Sequence, residues 1–217
     1  MAYPTVDKPY GLKPINLIGG QPYAGSTRLM KIASGYNTSI YYGDVVKRVS
    51  NGTIEKDTGT STATPVGIFL GCTYTSAVTG QKLFAQYFPA GTVASDIQAY
   101  VVDDPDVLFK VATVSSGTTV AFYGPELVGE NAVLVQNAGS NTTGDSAVGI
   151  FGGNTATTAS FPVRIVDLIP DTSNSANGYC EYVCKFNAPY VTIAVNLAGA
   201  NTATVTGGHQ YLNPTGV

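Results

Sequence analysis

The chain reads as an all-β protein, with a compact barrel-like, tulip-like or sandwich core and extended N- and C-terminal arms. Three observations predict this. Short runs rich in Thr, Val and Tyr recur along the 217 residues, separated by polar Gly-, Asn- and Ser-containing turns, and such side chains favour a pleated surface over a helix. Asn51-Gly52 separates two of these runs, a pair that tolerates the positive φ of a tight hairpin. Only two short windows suit a helix, 104–109 opened by Pro105 and 125–131 opened by Pro125.

Residues 1–30 carry Pro4, Pro9, Pro14 and Pro22 among several glycines, a spacing that denies both a helix and a long central strand. Tyr3, Tyr10, Leu12, Ile15, Leu17, Ile18 and Tyr23 are interleaved with them, which predicts an extended arm lying on protein surface. The β-rich core is expected over 31–186, in one or two subdomains. Its strands are expected near 27–32, 39–50, 53–56, 67–74, 81–88, 97–102, 108–111, 132–136, 147–151, 162–169 and 179–186, with 57–64 a loop. In the run 162–169, Val163, Ile165 and Asp167 share one face of a regular strand, which leaves Asp167 to meet solvent or a partner. A further strand at 190–197 and a second surface arm complete 187–217. Two segments, TSTATPVGIFLG at 60–71 and NTTGDSAVGIFG at 141–152, have a similar form. Either they mark two related β units or the chain reuses one loop-to-strand grammar.

Charged residues make up 12% of the chain, about half of the roughly 25% usual for a soluble domain. Thr, Ser, Asn and Gly take their place, so much of the surface is expected to lie against other protein. No apolar run approaches the ~18 residues of a membrane span, and Met1 to Thr5 show no secretory pattern. The formal charge of −3 and the scattering of Lys and Arg, apart from Lys47-Arg48, argue against direct nucleic-acid contact, which needs convergent cations. Of the three cysteines, Cys180 and Cys184 share a strand face about 13 Å apart. That is too far to bridge, so buried free thiols and a reducing compartment are expected.

Little in the chain carries chemistry. His209 is the only histidine and has no nucleophile or carboxylate at relay spacing; it is expected at a surface or interface. Asp103, Asp104 and Asp106 suit a turn held by side-chain-to-backbone bonds better than a calcium site, since Pro105 interrupts them. Gly19-Gly20, Gly152-Gly153 and Gly207-Gly208 lack phosphate-loop spacing. No catalytic, cofactor or metal residues are assigned, and no enzyme is expected. Fourteen tyrosines and no tryptophan suit wide, partly wet interfaces.

Tyr10-Gly11-Leu12-Lys13-Pro14, Tyr42-Gly43-Asp44-Val45-Val46, Pro65-Val66-Gly67-Ile68 and the closing Gly207-Gly208-His209-Gln210-Tyr211-Leu212-Asn213-Pro214 together resemble the head-decoration, or capsid-cement, proteins of tailed bacteriophages, especially marine ones. The resemblance implies a virion structural protein made in the host cytoplasm and bound to the outside of the expanded capsid. Its partners would be the major capsid protein and copies of itself, as a homotrimer, with no membrane and no cofactor. By the same resemblance residues 1–30 would be the capsid-binding arm, with His209, Tyr211 and Leu212 adding interface at the other end. A tail-fibre or adhesin module that binds host glycan is the competing class, although threaded repeats are not found. A major capsid protein, which needs a long spine helix, is a further alternative.

Overall fold

The computed structural model describes residues 8–173, 175–176, 178–195 and 201–214. Tyr3, the last two residues of the expected strand 190–197 and the extreme C terminus therefore lie outside the described residues. The chain is all-β. Its strands are β1 (Lys13–Leu17), β2 (Arg28–Lys31), β3 (Val45–Arg48), β4 (Ile54–Lys56), β5 (Gly67–Thr75), β6 (Lys82–Ala85), β7 (Gln98–Val102) and β8 (Val107–Ser116). There follow β9 (Thr119–Val120), β10 (Asn131–Val135), β11 (Gly149–Ala156), β12 (Val163–Leu168), β13 (Glu181–Phe186), β14 (Tyr190–Val195) and β15 (Asn201–Thr206). Single 3-10 turns occupy Pro125–Leu127 and Gln210–Leu212.

Strands β8, β11, β10, β12 and β13 close into a five-stranded barrel, with β8 and β11 parallel and every other neighbour antiparallel. Strands β2, β4, β3, β5 and β7 form a second ring, in which a parallel bridge between Ile32 and Ile54 closes the circuit. Counted within each barrel, the order around the ring is the same: first, third, second, fourth, fifth.

The match extends to register, except that β10 and β11 shift between Ala132 and Leu134 where β3 and β4 run without a shift. Arg48 faces Ile54 as Leu134 faces Ile150; Val45 faces Ile68 as Asn131 faces Arg164; Met30 faces Ala99 as Val111 faces Tyr182. A bulge follows Phe69 on β5, and another follows Ile165 on β12. The entry to the second strand repeats as well. Asp44 N donates to Tyr41 O, and Glu130 N donates to Leu127 O. Gly43 and Gly129 both sit at φ 91°, backbone that a side chain would strain. Their amides donate to Phe69 O and Ile165 O, and the carbonyls of Asp44 and Glu130 accept from Phe69 N and Ile165 N. The chain is a tandem pair of one β unit.

Matched positions share burial more often than identity. Met30 and Val111, Val46 and Ala132, Ile54 and Ile150, Phe69 and Ile165, Ala99 and Tyr182, and Val101 and Cys184 are all buried. The two similar segments from the sequence are not part of this correspondence. The first leads into β5, the fourth strand of its barrel, and the second into β11, the third strand of the other. Their likeness is a reuse of loop-to-strand grammar.

The barrels stack with different faces in contact. Val45, Ile68 and Val102, on the outside of the first barrel, are buried in the same apolar cluster as Phe109, Ile150 and Ile165 of the second. The matched residues on the second barrel are Asn131, Arg164 and Lys185.

Several expectations are corrected. The N-terminal stretch is not an arm from residue 8 onward: β1 pairs with β8, and Leu12 is fully buried in the second barrel's core. The window 104–109 is a turn feeding β8, because Asp104 Oδ1 accepts from Asp106 N, a local bond that competes with a helix. The window 125–131 shrinks to one 3-10 turn. On β12 the bulge rotates Asp167 off the face of Val163 and Ile165, and it is exposed while those two are buried. The Asn51-Gly52 hairpin joins β3 to β4 as expected, with Asn51 Oδ1 accepting from Thr53 N.

The two barrels meet at a buried polar joint. The Asp44 carboxylate, wholly buried, accepts from Tyr41 N at 2.9 Å, from Ser146 Oγ at 2.6 Å and from Lys56 Nζ at 2.9 Å. Ser146 belongs to the second unit and the others to the first. Removing one member of such a set leaves a buried charge unpaired, a loss of about 3–5 kcal/mol. Asp44→Ala is expected to lower unfolding stability in urea by that amount, whereas Glu130→Gln, at the half-buried matched position, costs under about 1 kcal/mol. Equal losses would show that Asp44 is not the joint.

Candidate interaction surface

The residues singled out at the two ends fall into distinct environments. Tyr10 is half-buried, and its hydroxyl donates to Glu181. Lys110 Nζ lies 3.3 Å from the same carboxylate, and the ammonium groups of Lys13 and Lys110 stand 4.7 Å and 5.5 Å from the Tyr10 ring centre. Burial first, and then the hydrogen bond to Glu181, push the Tyr10 hydroxyl far above its ordinary range, so it stays protonated and keeps its proton for Glu181. Leu12 is core. Ile15 and Leu17 are half-buried on β1, with Leu17 N donating to Gln21 O and Tyr23 N to Ile15 O. The Tyr23 hydroxyl donates to Ser26 O, and burial raises its pKa. Of the described N-terminal residues in the set, Ile18 alone is exposed.

The C-terminal stretch is a clasp across both barrels, not a free surface arm. His209 N donates to Asn187 O and Gln210 N to Pro65 O. The Gln210 amide holds the backbone of Arg48 from both sides, accepting from Arg48 N at 2.6 Å and donating to Arg48 O at 3.0 Å. Tyr211 OH donates to the Asp103 carboxylate, which also takes Arg28 Nε. Tyr211 and Leu212 stay nearly half exposed.

His209 is 1% exposed, which corrects its expected place at the surface. Its Nδ1 accepts from Tyr211 N, and its ring packs between Phe186 and Tyr211. Burial pushes its pKa from 6.5 down to about 4, against the pull of Asp103 and Asp104.

The three cysteines are buried and free of disulfides, as expected. Burial pushes the Cys72 thiol up to about 12 and the Cys184 thiol further. Among the described residues no group of three or more His, Cys, Asp or Glu is arranged to hold a metal ion. Among the described residues no helix is long and apolar enough to cross a membrane.

Sequence reasoning missed an apolar outer face on the first barrel. Phe84 on β6 is 74% exposed and Leu29 on β2 is 53% exposed, with Val78 and Val93 nearby in sequence also open. Phe84, Leu70 and Tyr100 line one open groove of about 570 Å³ together with Lys13 and Tyr42, and Leu29 is the cross-strand neighbour of Tyr100. Adjacent apolar residues on a strand point to opposite sides, so Leu83-Phe84 was the signal that at least one of the two faces outward; both are exposed.

Two outcomes follow from the clasp. The unfolded chain binds a proton at His209 before the folded chain does, so this residue lowers stability as pH falls from about 6.5 to about 4, by up to roughly 3 kcal/mol. His209→Asn, which keeps an acceptor for Tyr211 N, is expected to flatten that part of a urea stability–pH curve; an unchanged slope would place the imidazole in water. Gln210→Ala removes two backbone bonds and is expected to cost about 1–2 kcal/mol in urea unfolding, with a neutral effect counting against the clasp. No family profile, curated protein or solved structure matches the chain.

Proposed function

We propose that this chain is a virion structural protein that binds the outer surface of an expanded phage capsid and stabilises the shell. The observation that carries the reading is the exposed apolar face of the first barrel, centred on Phe84, Leu29 and Tyr100. It stands on a chain of low charge whose two barrels are joined by a buried polar contact. A rigid block with an apolar face binds a flat protein surface without ordering much of itself, which keeps the entropic cost of binding low. Preferential binding to the expanded lattice then stabilises that lattice by linkage. The major capsid protein is the partner on this reading, with self-association as a trimer alongside it.

The structure changes which segment is available for docking. Residues 9–17 are committed to the second barrel, so removing the whole of 1–25 would open its core and could not test an arm. Phe84→Asp alters the surface instead. It is expected to weaken binding to expanded shells at least tenfold while the urea midpoint of the free chain stays the same. Labelled protein should distribute over heads. Signal confined to tails would favour the adhesin class, and undiminished shell binding by Phe84→Asp would remove the proposed face.

A further inference from the structure

The internal duplication exposes an incomplete position. In the second barrel the first strand, β8, has two neighbours along its early half: β13 on one side and β1 on the other. The side facing β1 is marked by hydrogen bonds, since Ile18 N donates to Asp106 O while Thr113 N turns the other way to Cys180 O. By alternation, Leu108 and Lys110 present their backbone groups to β1. Register matches Lys110 to Leu29, Phe109 to Arg28 and Leu108 to Thr27.

In the first barrel that edge is bare. Before its bridge at Ile32, β2 pairs among the described residues only with β7. The outward backbone groups of Thr27 and Leu29 therefore have no strand beside them among the described residues, and Gly25 to Leu29 are all exposed. Lys110 in the covered barrel is tied to Glu181, whereas its counterpart Leu29 offers an apolar side chain to solvent. Open edges are ordinarily blunted by charge, proline or a bulge. Arg28 and Lys31 place charge at the two ends of β2, with Arg28 drawn to Asp103, and the exposed Leu29 between them is the uncharged position that an added strand can cover.

We propose that the Thr27–Leu29 edge is a strand-addition site occupied by residues 2–6 of a second copy of this chain, lying antiparallel to β2 as β1 lies against β8. The duplicate shows the kind of occupant: an extended segment with proline near its start, Lys13-Pro14-Ile15-Asn16-Leu17. Further upstream, Tyr3-Pro4-Thr5-Val6 repeats that pattern of a large residue, proline and a β-branched residue. The seven residues before Lys8 span about 23 Å when extended, enough for a strand the length of β1. Proline is tolerated in β1 because it sits on a strand at the sheet's rim, and Pro4 would occupy the same kind of place. The geometry is that of β-augmentation, with main-chain bonds supplying affinity. The site gives the proposed self-association a physical basis and does not depend on the capsid reading.

Sedimentation velocity on the full chain over a concentration series tests this. Self-association is expected, and Leu29→Pro, which removes an outward N–H and no internal bond, should raise the dissociation constant at least tenfold. Leu29→Lys, which charges the edge without touching the backbone, should weaken association in the same direction if the proline variant fails to fold. In a mixture of differently tagged Tyr3→Cys and Leu29→Cys chains, oxidation should give a disulfide-linked pair carrying both tags. A chain monomeric at every concentration, association undiminished by Leu29→Lys, or a lack of mixed-tag product would each overturn the proposal. So would a Tyr3→Cys, Leu29→Cys double variant that closes within one chain at high dilution, since the edge would then be filled in cis.

Discussion

The arrangement of the two barrels depends on a carboxylate that has no access to water. Taking Asp44 out of solvent costs several kcal/mol, which only close and complete pairing offsets. The partners come from three places: the turn that carries Asp44 itself, Lys56 at the end of β4, and Ser146 in the second unit. The segments carrying them run so close that a side chain on Gly11 would strike the carbonyl of Gly43 and the Cβ of Ser146. Leu12 N, one residue on, donates to that Gly43 carbonyl. The N-terminal stretch is thus held at the crossing before it reaches β1, and β1 then covers the edge of β8. One buried charge fixes the turn, the crossing and the route of residues 8–20.

The duplicated turn shows how one architecture is given two roles. In both units a glycine at positive φ precedes an acidic residue, and both backbones bond to the fourth strand in the same way. Only in the first does the acidic side chain enter a joint. The same division appears on the outer face, where the positions of Val45, Ile68 and Val102 in the first unit are held by Asn131, Arg164 and Lys185 in the second. An apolar face on one unit, met by a different surface on the other, is a head-to-tail contact, and such contacts continue indefinitely unless one end is changed. Here the change is chemical. Asn131 turns its amide to Thr158 O and accepts from Arg164 Nε and Asn187, so the matched face of the second barrel is a satisfied polar network instead of an apolar one.

The strands were legible because their signals are local. Alternation and β-branched residues placed β5, β7, β10, β12 and β13 within a few residues, and Asn51-Gly52 announced its hairpin. The duplication was not legible, because a barrel interior asks only for apolar volume: Met30 does the work of Val111, and Ala99 that of Tyr182. The one visible likeness, Gly-Ile-Phe at 67–69 and 149–151, joins strands with different places in their barrels. Prolines and glycines at the N terminus suggested an arm, but Pro14 sits where β1 bulges against β8, and Gly11 serves a crossing that no short-range pattern encodes. His209 looked exposed for the same reason: its burial comes from Phe186 and the loop after β4, both distant in sequence. Of the candidate surface, the adjacent pair Leu83-Phe84 was readable, whereas the bare edge at Leu29 is visible only by comparison with its twin.

The low charge of the chain has an internal cause as well as a surface one. A protein of short strands has many loop carbonyls that no ladder reaches, and buried carbonyls need donors. Neutral amide side chains supply them without the desolvation of an ammonium or guanidinium group. Asn137 donates to Gly117 O and Ala147 O, Gln136 to Gly59 O, Asn187 to Phe161 O, and Gln210 brackets Arg48. Threonine and serine hydroxyls do similar work, as Thr113 does for Ala121 O and Ser146 for Asp44. Part of the Asn, Gln, Thr and Ser that replace charge in this sequence is therefore spent on holding loops to barrels. Composition alone cannot separate that use from a surface made for partners; the exposed Phe84 and the uncovered edge at Leu29 are what distinguish the second use from the first.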